Sequence, residues 1–409
     1  MKMMRRSVMM LLLMLAFLGL HAQPMAVSGT VIDAVDGHCL AGASVSADGM
    51  GVTVVTNADG FFTLKTDSLP ASLIVTHLGY ALQRCPLHRV GDKLLIRLRP
   101  ASIRLSEVLV VAEDPRQLVM AAIERISQNF STQPELHHAF YREAVMKRQH
   151  HVSVAEGIVD LYKTSYARQL SIRDRVAIRK GRRLLSPRRS DTLSVKVNGG
   201  PVGAVLLDVV KNHDLLLTAD ELNLYNLKMD VPQDIADRPQ YVVQLSPRAT
   251  ANWPLYYGKL YIDQETLAFT RADLSLDMSD RDKAVRAMLV KKPLGVRFRP
   301  KELSLLVDYR RGDDGLWRLG YVRTTFRFNC DWRRRLFATA FTASCEMVVT
   351  STTRGTDVQP IRGRDSFDQR DAFFDKVEFF RDSTFWQHYN IIEPTQSLDR
   401  DIERIMRRY

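Results

Sequence analysis

Between Val27 and Leu98 short apolar and β-branched runs are cut at near-regular intervals by Gly, Asp, Asn and Pro. Val27, Gly29 and Val31 alternate with polar neighbours, as do Ala43, Val45 and Ala47, which is the period of two of a half-buried strand. Thr56-Asn57-Ala58-Asp59-Gly60 is a turn signal ahead of a strand at Phe61–Leu64. Gly60 there supplies a positive φ that a branched residue tolerates poorly. Leu73–Val75 reads as a buried strand, His77–Tyr80 as the turn after it, and Leu94–Leu98 as the strand that closes the sheet before Pro100. Leu105–Val111 is a further extended segment leading out. The pattern predicts a small β-sandwich.

A helical period follows. Asp114-Pro115 combines an N-cap with Pro at the first helical position, and Leu118, Ala122 and Ile126 recur on one face. An amphipathic helix ending near Asn129 and packed on a sheet is expected. From His138 the period of two returns, with paired strands at Phe140–Lys147 and Val152–Tyr162. After the break at Gly199-Gly200-Pro201, Val202–His213 reads as helix, and Leu222–Asp230 and Tyr241–Leu245 as strands. Tyr257–Asp263, the turn Gln264-Glu265-Thr266 and Ala268–Leu276 form a hairpin. Leu303, Leu305, Val307 and Tyr309 alternate, and Asp313-Asp314-Gly315 turns the chain. Val322, Thr324, Phe326 and Phe328 then face inward on Trp317–Asn329, and Leu336–Thr350 returns antiparallel. The expectation is one long, strongly curved antiparallel meander with a single buried face. A helical or loop-like end spans Asp371–Phe380 and Phe385-Trp386, with a last helix at Leu398–Arg408. The fold class is mainly β with a few helices: a sandwich plus a larger, half-barrel-like sheet with packed helices.

A chain of 409 residues exceeds one ordinary core, so two domains are expected. The start carries Lys2, Arg5 and Arg6, then an apolar core of 13 residues from Val8 to Leu20, then the small residue Ala22. This reads as an export signal over 1–22, its core too short to span a bilayer. The sandwich is assigned to 26–112 and the second domain to 113–409. Loss of the signal removes three of the +12 charges and leaves +9. A basic exported protein suits anionic lipid head groups, acidic glycans or an acidic partner, and its compartment excludes nucleic acid.

Charge is sharpest between Arg168 and Arg189, where nine Lys or Arg stand against the single acid Asp174. A solvated strand edge that deters aggregation is one reading. Contact with an anionic surface through Arg173, Arg175, Arg179, Lys180, Arg182, Arg183, Arg188 and Arg189 is the other. No HExxH, GxSxG, GxGxxG or P-loop spacing occurs. The pairs His137-His138 and His150-His151, near Glu143 and Glu156, lack metal-site spacing and read as polar strand ends. Asp277, Asp280 and Asp282 read as a solvated turn, and Trp317, Tyr321, Phe326 and Phe328 as sheet core. Cys39, Cys85, Cys330 and Cys345 are expected as free thiols, with a Cys39–Cys85 bridge inside the sandwich as the alternative. A hairpin turning near Arg333-Arg334 would put Phe337, rather than Cys345, opposite Cys330. The residues nominate no catalytic group, metal or cofactor, and the expectation is a non-enzymatic protein.

The strings VSGTV, GHCLAGASV, TNADGFFTL, LGY and LSEVLVVA, in that order over residues 26–112, resemble the carboxypeptidase-regulatory-like module of Bacteroidota. That transthyretin-like sandwich stands at the N-terminus of many outer-membrane TonB-dependent receptors. Cys39 departs from it, since the family usually has Pro there. The resemblance implies a structural or docking module in the cell envelope, exported to the periplasm or outer membrane, with an envelope protein or a TonB-dependent receptor system as partner. YYGKLYIDQETLAFTRADLSL, FWQHYNIIEP, the KGRR at Lys180–Arg183 and the GGP at Gly199–Pro201 resemble uncharacterised envelope proteins that carry the same module. Their sheets are similar in outline to the half-barrel of periplasmic lipoprotein carriers. This resemblance makes a lipid or lipoprotein carrier the alternative to a binding and scaffold protein.

Overall fold

The alternation seen at Val27–Val31 becomes strand β1 (Met25–Asp33), which buries every second residue from Val27 to Asp33. The computed structural model describes residues 24–89, 93–101, 114–167, 174–188, 191, 196–197, 200–248, 251–291, 294–332, 338–368, 371–379 and 384–407. The export signal, Leu105–Val111, Arg168, Arg173, Arg189 and the Arg333-Arg334 turn lie outside these residues.

Six more strands complete the first body: β2 (Ser44–Ala47), β3 (Thr53–Val55), β4 (Phe61–Thr66), β5 (Ser72–Thr76), β6 (Gln83–Pro86) and β7 (Lys93–Leu98). One sheet has the order β4-β1-β7 and the other β3-β2-β5-β6. Between them Val31, Val45, Phe62, Leu64, Leu73, Val75 and Leu98 make a closed apolar core. Gly60 has φ 73°, and a Cβ there would lie 2.6 Å from the Val31 carbonyl oxygen, so no side chain fits.

The second body is an eleven-stranded sheet. In chain order its strands are β8 (Glu135–Lys147), β9 (His150–Lys163), β10 (Arg175–Leu185), β12 (Tyr225–Ile235), β13 (Arg238–Pro247), β14 (Tyr256–Asp263), β15 (Phe269–Leu276), β17 (Val296–Arg311), β18 (Trp317–Trp332), β19 (Thr339–Thr353) and β20 (Glu378–Phe379). The spatial order is β12-β13-β14-β15-β17-β18-β19-β8-β9-β10-β20. Each neighbouring pair is antiparallel except β10 and β20, which are parallel. Strands β11 (Lys196–Val197) and β16 (Leu289–Lys291) form a separate ladder. Cys330 stands opposite Thr339 and Cys345 opposite Thr324, and all four cysteines are free.

Among the described residues six α-helices accompany the strands: α1 (Pro115–Glu124), α2 (Ile126–Asn129), α3 (Pro201–Leu206), α4 (Ala219–Leu222), α5 (Arg281–Met288) and α6 (Gln396–Met406). The Asp114 carboxylate accepts from Arg116 N and caps α1 as expected. Three expectations need correction. The helix from Val202 ends at Leu206 rather than His213, because the chain turns to bury Asp208. The strand expected from Leu222 begins at Tyr225, since Thr218 caps a short helix there. Asp280 is no plain turn residue: it accepts from Asp282 N and Lys283 N and starts α5.

The sheet is also covered on both faces, not one. On what we term the helix face, Leu118, Val119 and Phe130 pack with Ala204 and Val205 against Val159, Val307, Leu319 and Met347. On the other face Phe140, Ile158, Leu306, Tyr321 and Val348 meet Trp386, Ile391 and Ile392 from the C-terminal segment. Strand β9 accordingly loses its alternation and is buried without a break from Val154 to Leu161. The C-terminal segment reaches both faces by passing round the β10 edge. Phe373 and Val377 lie on the helix face over Gly157 and Gly181, which stand opposite each other. Strand β20 then borders β10, and the chain continues onto the opposite face as a strap. There α6 packs Leu398 on Ala144 and Val154, and Ile405 on Leu184. Burial of each strap isoleucine contributes roughly 2 kcal/mol. Among the described residues no helix is long and apolar enough to cross a membrane.

Candidate functional site at the seam of the two bodies

Strand alternation decides which side chains of the sandwich face its neighbour. Val45 and Ala47 point into the sandwich core, so Ser44 and Ser46 on β2 point out, joined by Thr53 on β3 and Thr76 on β5. These hydroxyl-bearing strands face the large sheet across a cavity of about 370 Å³. The opposite wall comes from Arg310 on β17, Thr350–Thr352 on β19 and Arg238 beside the β12–β13 turn. The volume falls in the lower part of the range for small-molecule sites, about 300–1,000 Å³.

Among the described residues two hydrogen-bonded attachments hold the walls together, and Val55 of β3 packs beside Phe140 and Val348 of the large sheet. The first is the strap. Lys65 donates from Nζ to the carbonyls of Trp386 (2.7 Å) and Tyr389 (2.9 Å), and its backbone exchanges two hydrogen bonds with the Asn390 amide. Asn57 Nδ2 donates to the Pro394 carbonyl, and Gln396 N donates to Asp59 Oδ2. The second is the β12–β13 turn: Gly79 N donates to Asp234 O, and Leu82 N to Asp237 Oδ1. Ala236 and Asp237 at its tip have φ 54° and 58°, the left-handed conformation of a two-residue hairpin turn.

The strap is fastened by a buried charge cluster. Glu156, 1% exposed, accepts from Arg142 Nε at 2.7 Å, Arg182 Nε at 3.0 Å and Trp386 Nε1 at 2.9 Å. Burial alone would raise its pKa, but Arg142 and Arg182 outweigh that and hold the carboxyl below the usual range. Lys180 donates to Phe385 O and sits 4.0 Å from the centroid of the Phe385 ring; Arg182 covers Trp386 at 5.1 Å. Arg183 donates to Phe374 O and lies over its ring at 4.8 Å. Arg179 pairs with Asp160 at 2.5 Å. Of the basic run, Lys180, Arg182 and Arg183 thus bind the C-terminal segment, while Arg175 and Arg188 are exposed. Arg173 and Arg189 lie outside the described residues. The sequence could not reveal this use, because the partners are some 200 residues further on.

A second polar group lies inside the helix-face core, and sequence reasoning missed it. Lys163 Nζ is 2.9 Å from Asp208 and 3.1 Å from Asp174, and Tyr166 and Tyr309 both donate to Asp208. Desolvation opposes the Lys163 charge, but Asp208 and Asp174 more than offset it and raise its pKa. A nucleophilic lysine needs the opposite shift. Beside it His137 is fully buried, with Nδ1 bonded to Thr352 Oγ1 at 2.8 Å. Burial, then the Lys163 and Arg318 charges, push its pKa down to about 3. Burial raises the Cys330 thiol to about 11 and the Cys345 thiol to about 12, leaving both unreactive.

His138 bonds to Asp160 and Thr353, and His151 to Asp401 on α6, so both adjacent histidine pairs contribute strand and helix contacts. Asp33, Asp36 and His38 bring three metal-capable atoms within 4.8 Å. Asp33 is already committed, however, accepting from Val35 N, Asp36 N and the Tyr80 hydroxyl. Trp317, Tyr321, Phe326 and Phe328 are buried in the sheet.

Residues 27–110 match the CarboxypepD_reg-like domain family, so the first body is of that kind. No curated protein matches the chain. Among solved structures, a DUF1329 family protein from Desulfovibrio piger is similar at 10% identity and a TM-score of 0.26, over 60% of this chain and 96% of that one. A LolA superfamily protein from Nitrosomonas europaea is similar at 12% identity and a TM-score of 0.21, over 58% and 94%. Likenesses this low transfer no function to this chain.

Proposed function

We propose that this chain is a non-enzymatic binding and scaffold protein of the cell envelope, in which the small sandwich is the fixed wall of a ligand cleft. One observation carries this reading: strap and hairpin fasten the sandwich to the sheet at two separate places, with the cavity of about 370 Å³ lined by both bodies. The interior ionisable groups support it. Lys163, Asp208 and Glu156 are held in their charged forms by neighbours, and the thiols in their neutral form, where acid–base or nucleophilic catalysis needs groups poised near neutral pH. An envelope partner, of the TonB-dependent receptor kind among others, would meet the sandwich at the exposed edge strand β6. A second reading, a lipid or lipoprotein carrier, draws on the apolar cluster of Phe298, Phe326, Phe328 and Phe341 beneath α5 at another part of the sheet.

The test is native mass spectrometry of the protein purified from its own envelope fraction. A non-covalent adduct of fixed mass, released unchanged after incubation, is the expected result. Conversion of the adduct to a smaller product would refute the non-enzymatic reading. Absence from the envelope fraction, or absence of any adduct, would refute the binding reading, and an acyl-chain adduct would favour the carrier.

A further inference from the structure

Among the described residues five guanidinium groups border the seam cavity, and of these Arg311 is exposed and donates from Nε to Gly315 O. Arg238 pairs with Asp263 and Glu265, Arg318 with Glu135 and Asp314, and Arg354 with Asp314. Arg310 forms no ion pair with a carboxylate among the described residues. Its Nη2 donates to the carbonyls of Gly320 (2.7 Å) and Val349 (2.8 Å), and the side chain borders the cavity. A Cβ on Gly320 would collide with Arg310 Nε and lie 3.1 Å from its Cγ, so the missing side chain at 320 is what lets the arginine lie there. Desolvation lowers the Arg310 pKa to about 10, only partly offset by Asp308, which is itself bonded to Arg271. Two carbonyl dipoles satisfy hydrogen bonds but do not neutralise a charge withdrawn from water. Trp317, which also borders the cavity and is 4% exposed, leaves its Nε1–H without an acceptor among the described residues.

The remaining lining selects the rest of the ligand. Hydroxyls stand on both walls, Ser44 and Ser46 on one and Ser351 on the other, whereas Thr350 is committed to His138 O and Thr352 to His137 Nδ1. Small apolar surfaces from Ile74 and Ile235 interrupt them. Two opposed hydroxyl walls suit a polyhydroxylated molecule, and the uncompensated guanidinium calls for an anionic group on it. We infer that the seam cavity binds an acidic saccharide, with the carboxylate on Arg310 and the ring hydroxyls between the β2 and β19 walls. The inference rests on the reading of the seam as a ligand cleft and names its ligand class.

The experiment is calorimetric titration of the whole chain with glucuronate and galacturonate, with glucose and inorganic phosphate as comparison probes. Binding of at least one uronate is expected, at concentrations up to about 10 mM, enough to saturate a site with a Kd near 1 mM. Glucose should bind about tenfold more weakly or not at all. Arg310→Gln should lose at least about tenfold in uronate affinity, the usual effect of removing one member of a charged hydrogen-bonded pair. Gly320→Ala displaces the guanidinium while keeping its charge and should weaken binding as well, so the proposal survives if Arg310→Gln misfolds. Uronate affinity unchanged in Arg310→Gln or Gly320→Ala, or no uronate binding to the wild type, would overturn it. Phosphate bound as tightly as uronate would mark a general oxyanion site and also overturn it. A different native adduct in the cavity would leave the binding function standing and remove the saccharide assignment alone.

Discussion

Replacing Glu156 with Gln tests whether the strap holds the two bodies together. The change is nearly isosteric but removes the charge shared by Arg142, Arg182 and Trp386. One amide oxygen remains to accept, and the new NH2 group points at donors. Arg142 and Arg182, 5% and 8% exposed, are then left without their common counter-ion. Breaking a buried ion pair from one side costs about 3–5 kcal/mol. The orphaned Trp386 N–H falls within that range, so about 4 kcal/mol is expected for the whole change. For a chain of this size a thermal midpoint moves about 2 °C per kcal/mol, predicting a fall of about 8 °C. Hydrogen exchange locates the effect: amides of 384–395 should lose protection first, with those of β17 and β18 unchanged. Glu378→Gln, an exposed carboxylate on β20, serves as the control and should move neither reading. An unchanged midpoint with 384–395 still protected would show that apolar packing alone holds the strap, and the argument from charge would fail.

Other outcomes follow from the same geometry. His137 is neutral when folded, with a pKa near 3, whereas the unfolded chain takes up a proton below about 6.5. Its contribution is therefore complete above about pH 6.5 and declines towards pH 3, by up to about 1.4 kcal/mol per pH unit; denaturant titrations at several pH values should show this slope reduced in His137→Asn, and an identical slope would refute it. Ala236 holds a left-handed conformation that Asn tolerates better, so Ala236→Asn should add about 0.5–1 kcal/mol in the same assay, and a loss would contradict the turn assignment. A Cβ at Gly157 lies 2.8 Å from Phe373, so Gly157→Val should lift residues 373–377 at a cost of about 1–3 kcal/mol, read as faster exchange there; retained protection would refute the close packing.

The strands were legible because alternation is local. Val27 to Asp33 and Leu303 to Tyr309 carry their burial pattern in their own spelling. The second covered face was not legible, since it depends on where a distant segment lands. Val154–Leu161 reads as apolar either way, and only the strap shows that both sides are used. The basic run illustrates the same limit: Lys180, Arg182 and Arg183 look like a solvated patch until Phe374, Phe385 and Trp386 meet them. Asp280 looks like a turn residue in sequence because capping and turning use the same side-chain bond to nearby amides, and the following Arg281–Met288 has only a short apolar face. The cleft at the seam was not legible. Alternation sets Ser44 and Ser46 outward once Val45 and Ala47 are known to be core, but nothing nearby in the chain announces that Arg310 lies across from them.

The position of the strap at the far end of the chain also governs the order of assembly. During synthesis the sandwich and the strands from β8 to β19 exist before the residues that clasp them. A nascent molecule at that stage is joined at the Asp234 and Asp237 hairpin and where Val55 of β3 packs beside Phe140 and Val348, while the surface that Trp386, Ile391 and Ile392 will cover is still open to water. That greasy interval ends only when Trp386, Ile391 and Ile392, and then Leu398 and Ile405 of α6, close over the sheet.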